Sequence, residues 1–326
     1  MHRAQYATRG PVPQDVIECV EFSLPPLAAG EALVQVLAAP INPSDVLTLT
    51  GQYGMLPPLP AVGGNEGVGR VLEVGEGVRL PVGQRVVLPV GAGTWTSHLV
   101  AREEKLTPLP EVGDPVQLSM LSVNPPTAAL LLSEFVTLEP GEWVIQNTAN
   151  SAVGRYLIQL AQRRGLRTVN VVRREEAAAS LRAMGADVVL TDGPDLDKRV
   201  AGATDKAKIR LGIDATGGAA TDRIARSLAV GGTVVNYGAM SGEACKIAPA
   251  SFVFRDITLR GFWLAYWFRR ASVDTQRALF SELAQLVASG ELSAPVQATY
   301  PLEQIKEAIV AAASPGRDGK VVIVPR

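Results

Sequence analysis

Cysteine and histidine are almost missing: the 326 residues hold 2 of each, Cys19, Cys245, His2 and His98. Two cysteines build no disulfide framework, and such sparse use fits a reducing compartment. The same count rules out a four-cysteine zinc lobe and argues against the usual cysteine/histidine catalytic zinc site, so no metal is expected. An excess of one charge is missing too. Lys and Arg total 31 against 32 Asp and Glu, a net charge of −1, whereas a nucleic-acid binder carries a basic excess. No run of about 20 apolar residues occurs, so no membrane span is expected. Met1–Arg9 lack the apolar stretch of a secretory signal, and their two arginines without an acid are too short a stretch to read as a transit peptide. A cytosolic location is the expectation. What is present is apolar content: 47% hydrophobic against 19% charged, enough to bury large cores and too much for a disordered chain. At roughly 100–200 residues per domain, the length suggests about two domains.

The first 120 residues read as β structure with loops. Glycine and proline punctuate short apolar runs at 32–37, 67–74 and 84–88, the pattern of an irregular, barrel-like β domain. The character changes at Asn124-Pro125-Pro126-Thr127. Strand candidates then follow at Trp143–Gln146, Thr168–Val172, Val188–Leu190, Arg210–Ile213, Thr233–Asn236 and Thr258–Phe262. Between the first two, Val153, Tyr156, Leu157, Leu160 and Ala161 recur at helical spacing and predict an amphipathic helix over 153–164. Six strands with interleaved helices predict an α/β fold with a doubly wound parallel six-stranded Rossmann domain. The tail is expected to hold a helix over 275–289, a strand at 296–300, a helix over 302–313 and a last strand at 320–324, and to return to the first domain. That gives a discontinuous domain of 1–123 and 268–326 around a dinucleotide-binding domain of 124–267.

The segment Val144-Ile145-Gln146-Asn147-Thr148-Ala149-Asn150-Ser151-Ala152-Val153-Gly154 reads as a strand, a turn and a helix start. In a dinucleotide fingerprint three glycines permit the turn, the approach of the pyrophosphate and the packing of helix on strand. Those positions here are Ala149, Ser151 and Gly154, so only the packing glycine remains. The helix N-terminus still offers free N–H groups and a positive dipole end to phosphate. After the second strand an NAD enzyme places an acid to bind the ribose 2′-hydroxyl. This chain places Arg173 and Arg174 there, and guanidinium groups pair with a 2′-phosphate in charge-assisted bonds. NADPH is therefore expected over NADH, with Glu175 and Glu176 serving as first-turn helix acids.

Several motifs occur in order: Ile41-Asn42-Pro43-Ser44-Asp45, Gly51-Gln52-Tyr53-Gly54, Gly63-Gly64-Asn65-Glu66-Gly67, Asn124-Pro125-Pro126-Thr127-Ala128, Tyr237-Gly238-Ala239-Met240-Ser241 and Gly261-Phe262-Trp263-Leu264. Through them the whole chain resembles the medium-chain dehydrogenase/reductase superfamily. Within it, the chain resembles the zinc-free, mitochondrial-type 2-enoyl thioester reductases. The resemblance implies a GroES-like catalytic domain beside the Rossmann domain. The superfamily's zinc enzymes have Cys and His where this chain has Pro43–Asp45 and Asn65. Without zinc, a phenol suits the polarising role, because it donates a hydrogen bond and stays protonated at neutral pH. The resemblance assigns that role to Tyr53.

The implied reaction is reduction of the C2=C3 bond of a trans-2-enoyl thioester. Hydride passes from NADPH to the β-carbon, and Tyr53 stabilises the carbonyl charge, donates the proton, or both. The resemblance also implies contacts of Asn124 with the nicotinamide end, and of Asn150, Ser151, Ala152, Val153 and Gly154 with the pyrophosphate. Tyr237, Gly238, Ala239 and Met240 fall at the carboxyl edge of the sheet. Phe262, Trp263 and Leu264 correspond to the stretch that meets the carboxamide, and Lys320 to a tail lysine reaching the cofactor. Asp214 stands where the branch often has Asn, which puts a carboxylate near the cofactor and its affinity in doubt. His98 and Cys245 read as structural. Phe262, Trp263, Tyr266, Trp267 and Phe268 suggest a homodimer face. Arg269, Arg270 and Arg277 suggest a basic site for a phosphopantetheine carrier, with coenzyme A and acyl carrier protein both open. Two other readings stand beside this one: a zinc-free NADPH-dependent quinone or enone oxidoreductase, and a cofactor-binding sensor without turnover.

Overall fold

In a computed structural model, residues 1–314 and 316–325 are described. The chain forms two compact units, Met1–Val123 with Ala278–Arg326, and Asn124–Arg277.

The first unit is built around the long strand Glu31–Pro40. It pairs antiparallel with Val68–Val74, with His98–Arg102 and with the C-terminal strand Lys320–Ile323. The alternation of buried and half-buried residues along Glu31–Pro40 turns Ala32, Val34 and Val36 into a core that also holds Trp95, Ile41, Leu49, Ile305, Ile309 and Ile323. A smaller antiparallel sheet orders Ile17–Glu21, His2–Tyr6 and Ala61–Val62.

Two helices of this unit depart from the β reading of the first 120 residues, the short Pro115–Leu118 and helix α1, Pro43–Thr50. The causes of α1 are local. Asn42 and Asp45 form a reciprocal capping box, and Pro43 occupies the first turn, where its missing N–H is not needed. Gly51 closes the helix at φ 79°, a left-handed conformation that glycine takes without steric penalty.

The second unit holds six strands: β1 (Trp143–Gln146), β2 (Arg167–Val172), β3 (Val188–Thr191), β4 (Leu211–Asp214), β5 (Thr233–Asn236) and β6 (Thr258–Gly261). All pair in parallel, in the order β3-β2-β1-β4-β5-β6. Helix α2, Ala152–Arg163, crosses from β1 to β2. Strand β1 is buried along its whole length, as expected of a central parallel strand covered on both faces. Its neighbours β2 and β4 belong to the two oppositely wound halves. The switch point therefore lies at the carboxyl ends of β1 and β4, where such sheets bind ligands.

Candidate active site

The turn between β1 and α2 has the geometry of an anion cradle. Ser151 caps α2, its Oγ accepting the Gly154 N–H at 3.1 Å. The first N–H groups of the helix have no intrahelical acceptor and carry its positive dipole end. A Cβ at Gly154 would lie 2.5 Å from the Ala149 carbonyl oxygen, so this glycine sets how closely the helix approaches the turn. Ala149 is buried, while Asn150, Ser151 and Ala152 are half-buried at the mouth. From the end of β5, Tyr237 makes a hydrogen bond to the Ser151 hydroxyl, and burial pushes its phenol well above the ordinary range. Tyr237 and Gly238 thus stand beside this turn, and Ala239 and Met240 are exposed after them.

Arg155 was not singled out from the sequence because it lies off the apolar stripe of α2. It is only 2% exposed. Its Nε donates to the Asn150 carbonyl at 3.2 Å and its Nη2 to Ser180 Oγ at 3.2 Å. A guanidinium therefore braces the turn from beneath.

Asp214 differs from its expected role. Its carboxylate is fully buried. It accepts the Asn147 Nδ2 at 2.6 Å, the Thr216 and Gly217 N–H groups at 2.9 and 3.1 Å, the Thr221 hydroxyl at 2.7 Å and the Asn236 Nδ2 at 3.0 Å. The charge is spent on tying the ends of β1, β4 and β5 together, and it is surrounded by donors. Asn147 completes the tie by accepting the Ala215 N–H at 2.8 Å.

Arg173 and Arg174 are exposed directly after β2. Glu175 and Glu176 open the short helix that follows, with Glu175 3.5 Å from Arg182. Asn124 is buried at the start of helix Asn124–Leu131. Past β6, the Phe262 N–H bonds to the Asn236 carbonyl at 2.8 Å, and its ring meets Phe135 edge-on at 5.9 Å. Trp263 caps helix Leu264–Arg270, with the Arg269 guanidinium 5.2 Å from its ring centre. Arg270 stacks on Tyr266 at 5.3 Å, whereas Arg277 lies 3.3 Å from Asp274 in an ion pair.

In the first unit, Tyr53 follows α1 and is half-buried. The Gln52 and Tyr53 N–H groups both bond to the Leu47 carbonyl, at 2.8 and 3.1 Å, which joins the tyrosine backbone to the helix. At the other end of α1 lies a buried polar cluster that sequence reading passed over. Asn42 Nδ2 donates to Glu66 Oε1 at 2.7 Å, and Asn65 Nδ2 donates to Asp45 Oδ1 at 2.7 Å. Lys320 Nζ donates to the Asn42 Oδ1 and, at 3.3 Å, to the Ile41 carbonyl. Burial raises the Asp45 carboxyl to about 6 against its hydrogen bonds and Lys320. It raises Glu66 and lowers the Lys320 ammonium, while their mutual attraction opposes both shifts. Lys320 is thus engaged inside the first unit. The capping pair Asn42 and Asp45, three apart before an apolar run, was the clue in the sequence.

Zinc does not fit these residues. Asp45 has one oxygen on the Asn42 N–H at 2.7 Å and the other on an amide, Asn65, that brings no charge. Among the described residues, no group of three or more His, Cys, Asp or Glu is placed to hold a metal ion. His98 has its Nδ1 3.0 Å from Ser97 Oγ. No described helix is long and apolar enough to cross a membrane.

The comparisons with known proteins agree with this geometry. The alcohol dehydrogenase GroES-like domain family matches residues 28–111, and the zinc-binding dehydrogenase family matches residues 152–286. The mitochondrial enoyl-[acyl-carrier-protein] reductase of rat is 38% identical over 93% of this chain and 83% of its own length. The human protein of the same name is 37% identical over 95% and 85%. Among solved structures, the Etr1p/NADP/crotonyl-CoA complex superposes with TM-score 0.89 at 26% identity, covering 99% of both chains. The mitochondrial 2-enoyl thioester reductase Etr1p/Etr2p heterodimer of Candida tropicalis gives 0.87 at 28%, again over 99% of each. A mycobacterial quinone oxidoreductase gives 0.85 at 26% over 100% of each. These names correct the cytosolic expectation: the rat, human and Candida proteins are mitochondrial. Few cysteines and no apolar run describe a reducing space and a chain without a span, and such features do not separate one compartment from another. With relatives of this identity over nearly its whole length, the chain belongs to the medium-chain dehydrogenase/reductase superfamily, in the family of the enoyl-[acyl-carrier-protein] reductases.

Proposed function

We propose that this protein reduces the C2=C3 double bond of trans-2-enoyl thioesters with NADPH, the first unit carrying the proton donor and the second the cofactor. The observation that carries the reading is the near full-length match to enoyl-[acyl-carrier-protein] reductases. A structural neighbour in complex with NADP and crotonyl-CoA supports both the cofactor and the substrate class. NADPH, when bound, supplies hydride for the β-carbon.

The remaining work belongs to side chains. Asn150, Ser151, Ala152, Val153 and Gly154 receive the pyrophosphate on helix N–H groups, with Tyr237 steadying Ser151. Arg173 and Arg174 pair with the 2′-phosphate. Asn124 and the stretch Phe262–Leu264 serve the nicotinamide end. Negative charge that develops on the thioester carbonyl is met by the Tyr53 phenol, which donates a hydrogen bond to the oxygen or its proton to the α-carbon. The exposed aromatic residues Phe254, Trp263 and Tyr266, beside the outward-facing edge strand β6, support a homodimer. Coenzyme A and acyl carrier protein present the same thioester, and the relatives' names favour the carrier protein.

The test is NADPH oxidation with a short trans-2-enoyl thioester, run beside NADH and a simple quinone. Turnover with thioester and NADPH that falls at least about 100-fold in Tyr53→Phe, with NADPH affinity kept, is the expected result. The likeness to a mycobacterial quinone oxidoreductase is what supports the quinone reading, and less strongly than the reductase relatives support the first. Turnover with the quinone alone would establish the quinone reading and remove Tyr53 from the chemistry.

A further inference from the structure

We propose that the buried cluster of Asn42, Asp45, Glu66 and Lys320 is the positioning device for Tyr53, acting through α1; the inference rests on Tyr53 being the proton donor. The four residues are 3, 3, 0 and 5% exposed. Asn42 is their hub. Its N–H binds Asp45 Oδ2 at 2.7 Å, its Nδ2 binds Glu66 and its Oδ1 receives Lys320. The second Glu66 oxygen accepts the Val123 N–H at 2.9 Å, and the second Asp45 oxygen holds Asn65. Four distant segments, 41–45, 65–66, 123 and 320, meet in one network inside the first unit.

Such a cluster is a poor way to stabilise a domain. Desolvating two carboxyls and an ammonium offsets most of their attraction, and apolar side chains of similar volume do as well or better. What it supplies instead is direction. Hydrogen bonds with fixed donors and acceptors allow one orientation, where apolar packing allows several. The orientation fixed here is that of the N-terminus of α1, because Asn42 is the cap and Asp45 its return partner.

The other end of the same helix delivers the tyrosine. Gly51 turns the chain, and the Gln52 and Tyr53 N–H groups are held on Leu47. Past Tyr53 the loop through Pro60 is mostly exposed, with Arg9 Nη2 bonded to the Pro57 carbonyl. The Tyr53 backbone therefore takes its place from α1, and the N-terminus of α1 takes its place from the cluster.

Glu66→Gln tests the proposal in a double-mutant cycle with Tyr53→Phe, reading kcat with a trans-2-enoyl thioester and NADPH binding by fluorescence. The substitution turns an amide N–H₂ toward either the Val123 N–H or the Asn42 amide. The expected result is a loss of about tenfold in kcat with NADPH affinity within about twofold, and a further loss under about twofold when Tyr53 is already Phe. Equal losses in both backgrounds, or unchanged kcat in Glu66→Gln, overturn the inference and leave the tyrosine reading intact. Unchanged turnover in Tyr53→Phe alone overturns the tyrosine reading itself. Should Glu66→Gln not yield folded protein, Asp45→Asn keeps an oxygen for the Asn42 N–H and carries the same cycle with the same two outcomes.

Discussion

Asp214→Ala should be one of the most damaging single changes in the cofactor unit. The carboxylate is fully buried and collects five donors. Two of them have alternatives: the Thr221 hydroxyl rotates, and Asn236 Nδ2 also reaches the Gly238 carbonyl at 2.9 Å. The Asn147 amide and the Thr216 and Gly217 N–H groups are left facing a void. An unsatisfied buried donor costs about 1–3 kcal/mol, and water entering the void recovers part of that. The net is about 3–5 kcal/mol, or about two to three and a half decades in a local equilibrium. A chain of two units does not unfold in one step, so the assay is native-state hydrogen exchange at Thr216 and Gly217, with NADPH binding alongside. Asp214→Asn keeps one oxygen and lets the Thr221 hydroxyl accept from the new amide, so it should cost only about 1 kcal/mol. Protection in Asp214→Ala no lower than in Asp214→Asn would refute the reasoning.

Three further outcomes follow from the geometry. Gly154→Ala puts a Cβ 2.5 Å from one backbone atom of Ala149 and 2.8 Å from two others. The phosphate turn must then move and NADPH affinity should fall at least about tenfold, measured by fluorescence titration, with a change under twofold as the contrary result. Replacing Arg173 and Arg174 together by Ala should raise the KM for NADPH by about ten- to a hundredfold and leave that for NADH nearly unchanged; equal effects on the two cofactors would remove the arginines from 2′-phosphate binding. Asp45, raised by burial from 3.8 to about 6, makes the folded protein bind more protons than the unfolded chain in that window. Its contribution to stability is therefore full below about pH 4 and is lost as pH rises through about 6, a swing of about 3 kcal/mol. Asp45→Asn should flatten that dependence and raise stability at pH 7.5. Identical pH profiles of hydrogen-exchange protection in the first unit of the two proteins would sink this account.

The sheet of the second unit was legible because its physics is local and repeated. Trp143–Gln146 and Thr233–Asn236 emerge with the bounds their apolar runs predict, and the other four strands lie within a residue or two. Helix α1 was hidden because eight residues are too few to display a period, and Leu47 is exposed while Asp45 is buried. A buried carboxylate on an amphipathic helix reads as its solvent face. The polar cluster was hidden for a different reason. Asn42, Glu66 and Lys320 are 24 and 254 positions apart, and no spacing rule links groups that meet only when a C-terminal strand pairs with Glu31–Pro40. Asp214 reads in the sequence as a carboxylate near the cofactor, and its direction was not legible. The sequence offers a carboxylate near a cofactor, and only the positions of Asn147, Thr221 and Asn236 show that it points into the fold.

The turn between β1 and α2 shows why a missing glycine fingerprint misleads. The fingerprint stands for three physical demands, and this chain meets two of them by other means. The turn itself needs one residue in the left-handed region, and Thr148 takes it at φ 52°. That is strained by about 1–2 kcal/mol for a β-branched residue, and it is held by a contact of 3.0 Å between Thr148 Oγ1 and Thr216 Oγ1. The second demand, in the proposed function, is room for the pyrophosphate. Ala149 leaves it by being buried, and Ser151 leaves it by turning its hydroxyl back onto the Gly154 N–H and toward Tyr237. The third, close packing of helix on turn, admits no substitute, because any Cβ at position 154 enters the backbone of Ala149. Two of the three glycines can thus be exchanged for hydrogen bonds supplied by neighbouring strands, and the third cannot. The position that survives in the sequence is the one whose constraint is purely steric.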